Sequence, residues 1–102
     1  MAKTIEIVTF RLKPGVTDAQ FVEATEIMER EALGVLPGFV DRDTGPSEDG
    51  DWVVVLHWES PEAAQNSMDK FIANPRTKPF LALVDEPTFK MKRYELKDHY
   101  QL

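Results

Sequence analysis

Few side chains in this sequence are equipped for chemistry, and the clearest is Glu6. It stands in Thr4–Leu12, a run of β-branched and aromatic residues. In an extended chain successive side chains alternate, so Glu6 shares a face with Val8, Phe10 and Leu12. A carboxylate on an apolar face is costly to ionise, which suits a general acid or base. The plainer readings are that Glu6 reaches water at a sheet end or pairs with a basic residue. Trp58 alternates with Trp52, Val54 and Leu56. Its indole is placed either to stack on an aromatic ligand or to pack in the core. His57 lies on the opposite face, where a hydrogen-bonded structural role outweighs a catalytic one. His99 falls in a polar tail, and two histidines so separated do not make a metal site. Asp41, Asp43, Asp49 and Asp51 do not follow a calcium loop, because Trp52 stands where a bidentate Glu is required. Arg76, Thr77 and Lys78 form a basic break after a helix. It is either a solvated loop or a gate that holds an anionic group.

The elements that must position these residues follow from the pattern of the chain. Strand one, Thr4–Leu12, stops at Lys13-Pro14-Gly15. Thr17-Asp18-Ala19-Gln20 is a capping box that opens a helix to about Leu33. Phe21, Ala24, Met28 and Ala32 form its apolar stripe, widened by Val22, Ile27 and Leu33. Residues 39–44 read as a weak polar edge strand. Asp49-Gly50 is a hairpin signal, and residues 51–59 are the clearest strand. Ser60-Pro61-Glu62 opens a second helix, with Ser as N-cap and Pro in the first turn. Its expected buried stripe is Ala64, Ser67, Met68, Phe71 and Ile72, and Asn74-Pro75 interrupts it. A short helical turn over 79–84, stopped by Pro87, precedes a last strand over 88–96. Residues 97–102 form a short tail.

The order β-α-β-β-α-β predicts an α+β domain of ferredoxin-like type, an antiparallel sheet with its helices on one face. The other sheet face would then carry Ile5, Ile7, Val53 and Val55. An apolar patch of that kind marks an interface, and a homodimer with sheets packed face to face would bury it. All of residues 1–102 are expected to form this single domain, because 102 residues leave no room for two cores. With 12 Lys plus Arg against 18 Asp plus Glu the net charge is -6. That balance disfavours nucleic acid and anionic membranes as partners. There is no cysteine, so disulfides and thiolate sites are excluded. Gly15, Gly34, Gly38, Gly45 and Gly50 all sit at turns, and none builds a phosphate-cradling loop. No cofactor is expected. No leader or membrane-spanning run is apparent, and the cytoplasm is the expected compartment.

In this order the motifs resemble those of the dimeric α+β barrel superfamily. Phe10-Arg11-Leu12-Lys13-Pro14-Gly15 resembles its strand-one ending. His57-Trp58-Glu59-Ser60 followed by Glu62-Ala63 is similar to the third-strand ending of antibiotic biosynthesis monooxygenases. Asn74-Pro75-Arg76-Thr77 resembles the segment where stress-responsive barrel proteins carry His-Pro-x-His. The resemblance covers roughly residues 4–96. It implies a cavity between helices and sheet, with Glu6 and Trp58 as catalytic wall residues. The expected lining is Val8, Phe10, Val54, Met68, Phe71, Thr77 and Phe80. It also implies departures. Val54 stands where cofactor-free monooxygenases carry Asn, and Met68 where haem-degrading members carry His. Glu6 and Thr77 replace the two histidines of cyclase-like members. The expected activity is a cofactor-independent, monooxygenase-like oxidation of a small aromatic or polyketide-like molecule, with Glu6 as base. The alternatives are a non-catalytic ligand-binding or stress-response barrel, or a non-oxidative cyclase or isomerase.

Overall fold

The computed structural model describes residues 3–102; Met1 and Ala2 lie outside the described residues. In chain order the elements are β1 (Thr4–Leu12), α1 (Asp18–Met28), β2 (Phe39–Pro46), β3 (Trp52–Trp58), α2 (Pro61–Ala73), α3 (Lys78–Leu81) and β4 (Val84–Glu95). The four strands form one sheet in the order β2-β3-β1-β4, with every neighbouring pair antiparallel. This is the α+β architecture expected from the alternation. Among the described residues no helix is long and apolar enough to cross a membrane.

Local chemistry sets the boundaries. Thr17 Oγ1 accepts from the Gln20 backbone N–H at 3.1 Å, and Gln20 Oε1 accepts from the Thr17 N–H at 2.9 Å. This reciprocal box satisfies two donors that a helix start would otherwise leave open. Ser60 Oγ accepts from the Ala63 N–H at 3.1 Å, and Pro61 supplies the first turn of α2. Gly38 has φ +81 and carries the chain from α1 into β2. A Cβ there would stand 2.6 Å from the Ala63 Cβ.

The core lies between the helices and one sheet face. Phe21 of α1 is 0% exposed. Its ring sits 5.5 Å from Phe10, 4.7 Å from Trp52 and 5.3 Å from Phe80, measured between centroids. These angled contacts suit the ring quadrupoles and join α1, β1, β3 and α3.

Several details differ from the sequence expectation. The helical stretch does reach Leu33, but residues Glu29–Leu33 form a π turn, closed by a 2.7 Å bond from the Gly34 N–H to the Glu29 carbonyl. Bonds to the fifth residue bring Met28 and Leu33 onto one face, which an ordinary helix would not do. Val22 and Ile27, expected to widen the buried stripe, are 41% and 37% exposed. Ile72 is 74% exposed, because it follows Phe71 around the helix and passes beyond the sheet-facing stripe. The last strand starts at Val84 rather than residue 88 and runs through Pro87. Proline is tolerated because β4 is an edge strand and its ladder breaks there. The pairing with β1 jumps from Thr9↔Lys90 to Arg11↔Asp85. In the gap the Thr88 hydroxyl accepts from the Arg11 N–H at 2.8 Å, replacing the missing ladder bond.

Candidate ligand cavity

A half-open cavity of about 80 Å³ lies between the sheet and the helices. On the same measure one water needs roughly 10–15 Å³, so the enclosed part seats about one aromatic ring. The floor comes from alternate residues of the strands: Glu6, Val8 and Phe10 on β1, Val54 and Leu56 on β3. Met28 and Leu33 close one side, brought together by the π turn, and Ser67, Met68 and Phe71 of α2 close another. Phe80 of α3 also lines it. Phe89 and Met91 of β4 are 40% and 36% exposed and form the rim.

The structure therefore gathers most of the expected lining at one place: Val8, Phe10, Val54, Met68, Phe71 and Phe80, with Glu6 among them. Two expected members are elsewhere. Trp58 is 0% exposed and does not line the cavity. Its ring packs against Phe39 at 5.4 Å, one alternation beyond Leu56, where the core closes over it. The indole Nε1 has no hydrogen-bond partner among the described residues. Thr77 is 1% exposed and also lies off the lining. Its hydroxyl lies 2.7 Å from the Asn74 carbonyl and 3.0 Å from the Phe71 carbonyl, so it donates to the C-terminal end of α2. Arg76 and Lys78 are exposed and lie off the cavity lining. They do not supply its charge.

Glu6 does not stand alone on the apolar face. Its Oε2 accepts from Arg93 Nε at 2.8 Å. Arg93 in turn donates from Nη1 to Gln65 Oε1 at 2.9 Å and from Nη2 to the Ala64 carbonyl at 3.4 Å. The pairing with a basic residue is thus the reading realised. The guanidinium ties β4 to α2 and fixes the carboxylate at the cavity wall. Oε1 has no hydrogen-bond partner among the described residues.

The residue that sequence reasoning missed is Arg42. It belongs to β2, which reads as a polar edge, yet its side chain is 3% exposed and lines the cavity. Nη1 donates to Glu29 Oε2 at 2.8 Å, and the guanidinium carbon lies 5.9 Å from the Phe80 ring centroid. Burial pulls the Arg42 pKa below its ordinary value, opposed by the hydrogen bond and charge of Glu29. An arginine remains charged at neutral pH even so. The available signal was the hairpin. Counting outward from Asp49 sets Arg42 across from Leu56, on the buried face of β3.

On the other sheet face, His57 Nδ1 lies 2.6 Å from Asp41 Oδ1. Among the described residues no three His, Asp or Glu side chains come together as metal ligands.

The fold and the cavity together define a class: a ferredoxin-like α+β domain with a ring-sized apolar cavity between sheet and helices, a cation and an anion set into its wall. Solved structures of the same fold come from several bacteria. SnoaB, a cofactor-independent oxygenase from Streptomyces nogalater, superposes with a TM-score of 0.72 at 15% identity, covering 97% of each chain. A candidate antibiotic biosynthesis monooxygenase from Bordetella bronchiseptica superposes with a TM-score of 0.78 at 14% identity, covering 95% of this chain and 99% of that one. A dimeric ferredoxin-like protein of unknown function from Thermobifida fusca gives 0.70 at 14% identity, covering 93% and 92%. At such identities the likeness is one of fold. No protein-family profile matches the chain, and no curated protein sequence does.

Proposed function

We propose that this protein is a cofactor-independent oxygenase acting on a small, electron-rich aromatic or polyketide-like molecule, and that it works as a homodimer. The observation that carries the reading is the half-open apolar cavity with the Glu6 carboxylate fixed in its wall. The fold shared with SnoaB and the dimeric description of the Thermobifida fusca protein support it. The chemistry asks little of the protein beyond a base and a dry, oriented site. An activated methylene in the substrate gives a proton to Glu6. The resulting carbanion transfers electrons to dioxygen and forms a C–O bond. The hydroperoxide, once protonated, loses the second C–H proton and expels water. In balance, a methylene and a dioxygen become a carbonyl and a water, with the substrate as the only reductant.

The test is oxygen uptake against product formation. One dioxygen should be consumed per carbonyl formed, and Glu6→Gln should lower kcat by about 10²-fold or more. A Glu6→Gln protein that melts like the wild type and keeps the full rate removes Glu6 from the mechanism. The pairing of Glu6 with Arg93 favours a second reading, a non-catalytic ligand-binding barrel. That reading predicts stoichiometric binding without product, and repeated turnover of a bound molecule excludes it. Turnover without oxygen uptake would instead indicate a cyclase or isomerase.

A further inference from the structure

We propose that Arg42 and Glu6 polarise the cavity, so that its ligand is a small aromatic acid: a ring whose carboxylate, or equally acidic phenolate or enolate oxygen, is taken by Arg42. This rests on the reading of the cavity as a ligand site and names the chemistry of what enters it. The side chain of Arg42 is 3% exposed, while its partner Glu29 is 34% exposed. A guanidinium has five N–H donors in a planar fork. Here only Nη1 has a partner among the described residues. Among the described residues the fully buried side-chain polar atoms without a partner are Thr25 Oγ1, Thr44 Oγ1 and Trp58 Nε1, so the open Arg42 nitrogens keep access to an arriving acceptor. A cation held this way in an apolar wall is arranged for an acceptor that arrives with the ligand. Delocalised and planar, it suits a carboxylate in bidentate contact better than a neutral group. The Phe80 ring 5.9 Å away limits where the fork can turn.

The sheet register gives the site a direction. Arg42 pairs across from Leu56, and Leu56 across from Glu6, so the three form one cross-strand row. Cation and anion are two strands apart, roughly 10 Å between backbones. A single ring lying over Leu56 spans that gap, with its acidic oxygen at Arg42 and a proton to give at Glu6. Glu29 is the internal competitor. Being one-third exposed, it can turn to water when an external anion takes the fork.

The probes are benzoate and benzyl alcohol, the same ring with and without the charge. Each is titrated into the full chain and followed by NMR shifts of Val8, Val54, Leu56 and Met68. Wild type is expected to bind benzoate about tenfold more tightly than the alcohol, a difference of about 1.4 kcal/mol. Arg42→Met should lower benzoate affinity about tenfold and leave the alcohol within about twofold. Should that variant fail to fold, Glu29→Gln decides the matter on its own. Freeing the fork should raise benzoate affinity roughly threefold, the worth of a partly exposed ion pair, with the alcohol unchanged. Equal binding of both probes, or a Glu29→Gln protein indifferent to charge, overturns the role of Arg42 and leaves the cavity a ligand site. If neither probe shifts the cavity resonances, the ligand-site reading falls together with this one.

Discussion

The hydroxyl of Thr77 is spent on the backbone. It donates at the end of α2, where the Phe71 and Asn74 carbonyls otherwise accept only the longer bonds of 3.3 and 3.2 Å from backbone N–H groups. Thr77→Val keeps the shape and removes the donor. The expected cost is about 1 kcal/mol, read as a lower denaturation midpoint, with ligand affinity in the cavity unchanged. A fall in affinity at full stability would instead return Thr77 to the ligand site. At this scale the sequence was legible where alternation alone decides a side chain's direction. Glu6, Val8 and Phe10 share a face because they are two residues apart. It was not legible where a partner lies far along the chain. Arg93 reaches Glu6 from 87 positions away, across a ladder with a bulge in it. Alternation groups Arg93 with Phe89 and Met91 and apart from Lys90 and Lys92, but that this face of β4 is the cavity side follows only from its pairing across from Glu6. Arg42 was missed for a related reason. Asp41 and Asp43 on either side make the segment read as solvated, and only pairing with Leu56 shows which face Arg42 occupies.

Among the elements, the joint before β2 carries the most consequence for the site. Gly38 has φ +81, and an added Cβ would meet the Ala63 Cβ at 2.6 Å. The N–H of Glu59 also donates to its carbonyl at 2.8 Å. The close approach packs the start of β2 against α2 and so sets the height at which Arg42 enters the cavity. Gly38→Ala combines a strained backbone with a clash. A loss of about 2 kcal/mol or more is expected, equal to roughly 8–16 °C in Tm for a domain of this size. Adding Ala63→Gly should return the clash part of the loss while the backbone part remains. A Gly38→Ala protein as stable as wild type would mean that the joint relaxes freely. Element order and caps were readable from local chemistry, as the Thr17 box and the Ser60-Pro61 start illustrate. The π turn and the early start of β4 were not. Both depend on what packs opposite: the cavity side for Met28 and Leu33, the β1 bulge for Pro87.

At the scale of the whole molecule, one sheet face is covered by helices and the other carries no helix, although the His99 ring of the tail comes within 6.4 Å of the His57 ring there. This second face carries Ile5, Ile7, Val53 and Val55, with Tyr94 44% and Val53 38% exposed. Its charges are sorted by edge, with Asp41 and Asp43 on β2 and Lys90 and Lys92 on β4. The register sets Asp43, Val55, Ile7 and Lys92 in one row across the sheet. For the proposed homodimer, a two-fold axis running along the strands lays β2 of one copy over β4 of the other. Each Asp43 then opposes Lys92 of the second copy, and the four aliphatic side chains meet in the middle. An axis across the strands would instead set acid against acid and lysine against lysine, a costly arrangement. The sorted charges therefore select the first. Lys92→Glu is expected to weaken the dimer about tenfold, measured by sedimentation equilibrium. Asp43→Lys added to it should restore most of the affinity, because the pair is then reversed rather than broken. Both effects should shrink as salt is raised toward about 1 M, where screening reaches roughly 3 Å. A double variant that dissociates as readily as Lys92→Glu alone would rule out this orientation, and a wild type that stays monomeric at all concentrations would rule out the dimer.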